Sequence, residues 1–173
     1  MSEMNDPNPY RSPAAQVADP AAASDLASLG ERLAAALLDG FAMLLINLPL
    51  MYFGGYFRAV MDAAMTGKQP PFTLLLTWSA VAFAILLLVQ GYPLHAWGQT
   101  WGKRILRIRI ADLDGGKPSL ATLIGRRYLP IQVVALVPLL GNLLVLVDIL
   151  MVFRGDRRCA HDLIAGTRVV KAG

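Results

Sequence analysis

The chain of 173 residues contains a single cysteine, Cys159. It cannot form an internal disulfide, and it has no second cysteine or suitably spaced histidine with which to share a metal ion, so we expect neither kind of site. The sequence also has no phosphate-binding glycine loop and no serine-nucleophile motif. We therefore expect no cofactor and no enzymatic activity.

Charged residues are scarce as well, at 16% of the chain, with a net charge of +4 and a pI near 9.5. The basic residues flank apolar blocks and do not form a separate basic domain. This distribution argues against a nucleic-acid partner and is typical of residues that orient a chain in a membrane.

Apolar residues make up 55% of the chain, and its mean hydropathy is +0.49. They are gathered in blocks, and a helix needs about 20 residues to cross the hydrocarbon core of a bilayer. The twenty residues 72–91 carry no formal charge, and an earlier block over 33–57 ends in aromatic residues typical of a membrane interface. We predict two full transmembrane helices, near 31–58 and 72–92.

The first 25 residues hold four prolines among small and polar side chains. Such a segment has too little apolar surface to offset the entropy lost on ordering. We predict a disordered cytoplasmic tail over residues 1–25, followed by one transmembrane domain over residues 26–173.

Two short segments have the pattern of β-strands. Ile108 and Ile110 alternate with arginines ahead of an Asp-Gly-Gly turn, and residues 167–171 are rich in β-branched side chains. We predict strands near 104–111 and 167–171 that pair in a small cytoplasmic β element.

The apolar stretch after residue 119 is interrupted by Pro138 and by Gly141-Asn142. We predict helices near 119–137 and 142–154 that form a C-terminal hairpin, either re-entrant or made of two short tilted crossings. Residues 99–128 hold seven basic side chains against two in residues 58–71, so we place the former region in the cytoplasm. An even number of crossings then leaves both termini cytoplasmic.

The resulting fold class is an all-α membrane protein. It is a small helical bundle with two full transmembrane helices, a C-terminal hairpin that is short or re-entrant, and the small cytoplasmic β element.

Charges inside the apolar segments are the candidate functional residues. Asp39 follows Arg32 by two helical turns, and Asp148 lies in the last apolar helix. An ionised side chain in the membrane costs at least about 2.5 kcal/mol, so each acid should face the interior and be paired, protonated or solvated in a cavity. Arg32, Arg126 and Arg127 are available as partners. These groups form either a proton or cation site or a fixed network that holds the bundle together.

Other polar residues have plainer interpretations. Trp97, Trp101, Lys103 and Arg104 are expected at the membrane interface, in contact with lipid. His161 and Asp162 are adjacent, and neighbours on a helix point in different directions, so capping or docking is favoured over an acid–base pair.

Three motifs in sequence resemble those of the RDD family of bacterial membrane proteins, over residues 28–171. They are Gly30-Glu31-Arg32-Leu33-Ala34-Ala35 leading to Asp39-Gly40, then Gly98-Gln99-Thr100-Trp101-Gly102-Lys103-Arg104, and His161-Asp162-Leu163-Ile164-Ala165-Gly166-Thr167. The resemblance carries the arginine and two aspartates of the family name onto Arg32, Asp39 and either Asp148 or Asp162.

The resemblance implies a location in the bacterial cytoplasmic (inner) membrane and involvement in transport, with cation/proton exchange suggested for some members. We consider two hypotheses for the function. The first is an oligomeric transporter that moves a monovalent cation or protons through intramembrane carboxylates, because so few crossings hardly enclose a pathway in one protomer. The second is a non-catalytic membrane partner that organises other proteins through its cytoplasmic face.

Overall fold

The computed structural model describes residues 25–137 and 140–172. Apart from Asp25, the predicted disordered tail lies outside the described residues. Pro138, at which we predicted the turn of the C-terminal hairpin, lies outside them too. Within the described ranges the chain is mostly helical, with two long apolar helices and one two-stranded sheet, as the sequence predicted.

The first long helix, α1, spans Leu29–Phe53. Ser28 caps it, with its hydroxyl accepting from the backbone N–H of Glu31 while the Glu31 carboxylate accepts from the N–H of Ser28. The helix ends before residue 58, where we predicted its end, because Gly54 and Gly55 break it and Gly55 has a φ of +80°. A separate helix, α2, then occupies Tyr56–Met65, most of it in the connection between the two predicted transmembrane helices.

The second long helix, α3, spans Phe72–Trp97 and so runs past residue 92 and through Pro93. It ends at Gly98, whose φ of +65° is the left-handed conformation common after helices. Both α1 and α3 are long and apolar enough to cross a membrane. Their apolar windows are almost entirely unburied within the chain, which separates them from the core helices of a water-soluble protein.

Strand β1 covers Ile108–Asp112 and begins later than the predicted residue 104. The reason is a short helix, α4, over Trp101–Ile105, which Thr100 caps by accepting from the N–H of Lys103. The strand pairs antiparallel with β2, Thr167–Lys171, in a register that sets Ile110 opposite Val169. The predicted strand pairing is therefore confirmed.

The sheet also joins the two ends of the domain. Leu26 forms a bridge with Val170, Ala27 donates to the Val169 carbonyl at 3.1 Å, and Lys171 donates to the Asp25 carbonyl at 2.8 Å. The start of α1 and the end of β2 consequently lie on the same side of the molecule.

Helix α5 is a composite of an α-helical turn, Leu120–Thr122, a π-helical stretch, Leu123–Tyr128, and an α-helical stretch, Leu129–Ala135. Helix α6 spans Leu140–Leu150 and continues as a 3-10 turn, Met151–Phe153. Helices α5 and α6 pack closely at Gly141, where an added Cβ would lie 2.3 Å from the Val134 carbonyl oxygen. A last short helix, α7, covers Ala160–Ala165 and leads into β2.

Candidate functional site

Asp162, on α7, is the centre of a buried ion-pair cluster. Its Oδ1 pairs with the Arg127 guanidinium and accepts from Thr167 Oγ1 at 3.0 Å. The side chains of Arg127 and Asp162 are only 4% and 1% exposed. Burial by itself raises the pKa of Asp162, but the charges of Arg127 and His161 outweigh it and hold that pKa below its usual value.

The two arginines in the π-helical stretch of α5 have different surroundings. Arg127 is buried and also donates to Thr167 Oγ1 at 2.6 Å, whereas Arg126 is exposed. Pro130, just beyond the stretch, has no N–H to donate to the preceding turn, and such local departures from α-helical geometry are frequent at functional sites. Of the two arginines that we expected to pair with acids, only Arg127 does so here.

Arg32 lies beside the same cluster and does not pair with Asp39. Its guanidinium donates to the carbonyls of Arg157 and, at 3.0 Å, Val169, and its Nη1 lies 3.9 Å from Asp162 Oδ2. Two turns of helix separate Arg32 from Asp39, and each side chain finds a different set of partners.

Asp148, on α6, is paired with His161. The imidazole Nδ1 lies 2.7 Å from Asp148 Oδ2, and the His161 backbone N–H donates to Asp148 Oδ1 at 2.8 Å. The other ring nitrogen, Nε2, lies 3.7 Å from Asp162 Oδ2. His161 therefore sits between the two aspartates that compete for the last place in the family motif.

Asp39 is held by neutral donors, not by the arginines that we expected. Its Oδ1 accepts from Gln90 Nε2 at 3.0 Å and from the Gly102 N–H at 2.8 Å, and its Oδ2 accepts from the Thr100 hydroxyl. A Cβ at Gly102 would lie 2.3 Å from the Ala35 carbonyl oxygen, so glycine is required for α4 to approach α1 this closely.

A cavity of about 280 Å³ opens beside Asp39. Its polar lining consists of Asp39, Gln90, Thr100, Lys103 and Tyr128. Lys103, which we expected among the lipid contacts, is half-buried here. Burial shields the Lys103 amine from water and lowers its pKa to about 8.

The charge around Lys103 comes from several elements. Arg127 and Arg32 lower its pKa further, while Asp39 and Asp162 partly oppose the shift. Tyr128 of α5 faces the same cavity. An acid and an amine that titrates near neutral pH thus share one cavity.

Each of the three motifs, at the start of α1, around α4 and on α7, supplies residues to these two clusters. The family model for "RDD family" matches residues 26–166 of this chain. The chain belongs to the RDD family. The uncharacterized protein YckC of Bacillus subtilis (strain 168) is 36% identical over 143 residues, which cover 82% of this chain and 82% of that protein. No solved structure matches the chain.

Membership of the RDD family and two long apolar helices together indicate a membrane protein. Around the RDD domain's α4, Arg104 lies over the Trp97 ring, 3.5 Å from its centroid, and Trp101 is exposed. The Trp101 indole N–H donates to the Val89 carbonyl at 2.9 Å.

Neutral residues of the RDD domain were missed by the sequence analysis. Gln90 is buried in α3, and it donates to Asp39 while accepting from the Trp101 N–H at 3.0 Å. Thr100 and Thr167 complete the two clusters. The sequence did contain a signal for Gln90, because it is an amide within an apolar block and a buried amide requires a polar partner.

Proposed function

We propose that this RDD protein exchanges a monovalent cation for protons across the bacterial cytoplasmic membrane, using the cavity beside Asp39. The observation that carries the proposal is that Asp39 and Lys103 line one cavity of about 280 Å³. The pKa of Lys103, at about 8, lets its amine gain and lose a proton near physiological pH.

Charge balance gives the exchange its logic. When Lys103 is protonated, its positive charge compensates the carboxylate of Asp39 nearby. When the amine releases its proton, the cavity keeps an uncompensated carboxylate, with oxygens on Thr100 and Tyr128 that suit a hard cation. Proton and cation then compete for the same cavity, which is the requirement for exchange. The burial of Lys103 has the largest effect on the pH at which this happens, and the charges of Arg127, Arg32 and Asp162 adjust it.

The membrane orientation in this proposal has both ends of the domain in the cytoplasm. Its support is that residues 25–27 bond to β2, so the two ends share one side, and that this side carries the basic residues of 103–109 and 154–171. The hairpin of α5 and α6 enters the membrane from that side, either as a re-entrant element or as two short crossings.

A homo-oligomer is part of the same proposal. Two long helices and a short hairpin enclose little volume, and large apolar side chains of α1 and α3 face outward, including Leu37 and Leu88. Copies of the chain and membrane lipid are the partners that such a surface fits. In this scheme Asp148, which is paired with His161, supports the fold around the site.

A second candidate function is a non-catalytic membrane partner. The observation in its favour is that Asp39, Asp148 and Asp162 each already have hydrogen-bonding partners, as in a fixed structural network. Leu163 and Ile164 of α7 are exposed, as is Phe153, and such side chains would form the apolar centre of a docking face.

The test is cation-driven proton flux in proteoliposomes. Asp39→Asn and Lys103→Met are compared with Asp62→Asn, a matched control because Asp62 is exposed on α2. We expect the parent and the control to exchange sodium or potassium for protons, with uptake rising as pH passes about 8, and both cavity variants to lose flux. A parent without flux under either gradient would reject exchange in favour of the partner function.

A further inference from the structure

Three side chains around the start of α7 bring metal-binding atoms together. Cys159 Sγ, a ring nitrogen of His161 and a carboxylate oxygen of Asp162 all lie within 4.8 Å of one another. Zinc binds sulfur, nitrogen and oxygen donors at about 2.0–2.3 Å in tetrahedral geometry. Two ligand atoms of one zinc ion are therefore closer to each other than 4.8 Å, the limit within which these three atoms lie. Cys159 and Asp162 are buried, while His161 is half-buried and leaves the group reachable from outside.

The orientation of His161 is the second observation. Its Nδ1 lies 2.7 Å from Asp148 Oδ2, so an Nδ1–H donating to that carboxylate leaves a lone pair on Nε2. Histidines that bind metals almost always donate their other N–H to a carboxylate, carbonyl or water in this way. Nε2 faces Asp162 Oδ2 at 3.7 Å, a spacing that a shared metal ion can span.

The two oxygens of Asp162 have different surroundings. Oδ1 takes the Arg127 ion pair and the Thr167 hydroxyl. Oδ2 has only longer contacts, at 3.4 Å from the Cys159 N–H and 3.9 Å from Arg32 Nη1. Oδ2 therefore retains a lone pair on the side of His161 and Cys159.

We propose that Cys159, His161 and Asp162 bind a Zn²⁺ ion, with Asp148 orienting the imidazole and a water molecule as the fourth ligand. On binding, the thiol of Cys159 releases its proton to solvent and a sulfur–zinc bond forms. The guanidinium groups of Arg32 and Arg127 oppose a divalent cation, and the new thiolate supplies compensating negative charge. The site is separate from the cavity beside Asp39 and does not depend on transport.

Because Cys159 is the only cysteine in the sequence, a thiolate-to-cobalt charge-transfer band reports on this site alone. The full-length protein, purified in detergent through a tag without histidine, is titrated with Co²⁺ and then with Zn²⁺. We expect one Co²⁺ per chain, a thiolate-to-cobalt charge-transfer band, tetrahedral d–d bands, and loss of all of these when Zn²⁺ displaces the cobalt.

The variants distinguish the residues that bind the metal from the residue that orients the imidazole. Cys159→Ser should abolish the charge-transfer band, and His161→Gln should abolish tight binding. Asp148→Asn should weaken binding about 10- to 100-fold. The control is His95→Gln, which alters the other histidine, exposed at the end of α3, and should bind like the parent.

Zinc should also raise the unfolding temperature of the parent and leave that of His161→Gln unchanged, which tests binding even if a variant is less stable. The proposal is overturned if the parent shows no charge-transfer band with Co²⁺, or if His161→Gln binds as tightly as the parent.

Discussion

Arg127 and Asp162 lie 35 residues apart in the sequence and form an ion pair that is almost completely removed from solvent. A buried charge that loses its partner is far more costly than the pair itself is favourable. The pair joins α5 to α7, so it links the hairpin to the end of the domain.

Removing the arginine should therefore destabilise the protein strongly. Arg127→Met leaves Asp162 with only the more distant His161, at 3.7 Å, and Arg32, at 3.9 Å, as charge partners. We expect a loss of about 3–5 kcal/mol in the free energy of unfolding. Denaturant titration in detergent measures this loss. Arg126→Met, which changes the exposed neighbour, should stay within about 0.5 kcal/mol of the parent. Equal losses in the two variants would contradict the assignment of Arg127 to the cluster.

Neutralising Asp162 as well should recover part of that loss. The double variant Arg127→Met/Asp162→Asn no longer buries an unpaired carboxylate, so it should be more stable than Arg127→Met alone. The same titration reports the difference, and a double variant less stable than the single one would show that the two residues act independently.

The stability contribution of Lys103 should depend on pH with a definite sign. Its pKa in the folded protein is about 8, below the ordinary value of 10.5, so folding penalises the protonated amine. Below pH 8 the amine is protonated in both states and the penalty is complete, at about 3 kcal/mol. Between pH 8 and 10.5 the folded state has lost its proton while the unfolded state keeps it, and the penalty falls away.

Lys103→Met should accordingly unfold at a higher temperature than the parent at pH 7, and the gap should shrink as the pH is raised to 10. Lys68→Met serves as the control, because Lys68 is exposed between α2 and α3 and should give a gap near zero at both pH values. A gap that is constant from pH 7 to 10 would mean that the amine has an ordinary pKa.

Close contact between α1 and α4 should make Gly102 intolerant of a side chain. In Gly102→Ala the new Cβ would lie 2.3 Å from the Ala35 carbonyl and 3.0 Å from the Asp39 carboxylate, so α4 must move away and weaken the bonds to Asp39. We expect a loss of about 1–3 kcal/mol, typical of overpacking. Gly30→Ala, at a helical glycine with open space, should be neutral or stabilising by up to about 1 kcal/mol. Thermal unfolding of both variants in the same detergent compares them directly.

Orientation in the membrane is testable with single cysteines in a Cys159→Ser background. Asp62 and Lys171 are both exposed, one on α2 and one at the end of β2. A membrane-impermeant maleimide added to intact cells should label Asp62→Cys and spare Lys171→Cys, which should react only after lysis. Labelling of Lys171→Cys in intact cells would refute the cytoplasmic position of the C-terminal strand.

Local patterns in the sequence were sufficient for the two long helices and for strands β1 and β2, because hydrophobic blocks and alternation are properties of neighbouring residues. The helix ends were less accurate, since Gly54 and Gly55 stop α1 early and Thr100 starts α4 where a strand was expected. Glycine and threonine have several local roles, and packing decides among them.

Partners of the charged residues could not be predicted in the same way. The sequence left it open whether Asp39 would be paired with an arginine, protonated or solvated in a cavity. The fold surrounds it with Gln90, Thr100 and Gly102 at the edge of a cavity. Likewise, Cys159 has no second cysteine near it, but α7 and α6 bring His161, Asp162 and Asp148 to its surroundings. The surroundings of Asp39 and the approach of Asp148 to His161 depend on contacts between distant segments, whereas the cluster of Cys159, His161 and Asp162 depends on the conformation of the turn into α7.

The bond from Arg32 to the Val169 carbonyl spans 137 residues. During synthesis at about 5–20 residues per second, Arg32 enters its helix roughly 7 to 30 s before its acceptor has been made. For most of that interval neither Asp162 nor β2 has been made, although α1 is complete once Phe53 has been added. The first helix can therefore insert into the membrane well before Arg32 acquires its partners, which lie among the last residues of the domain.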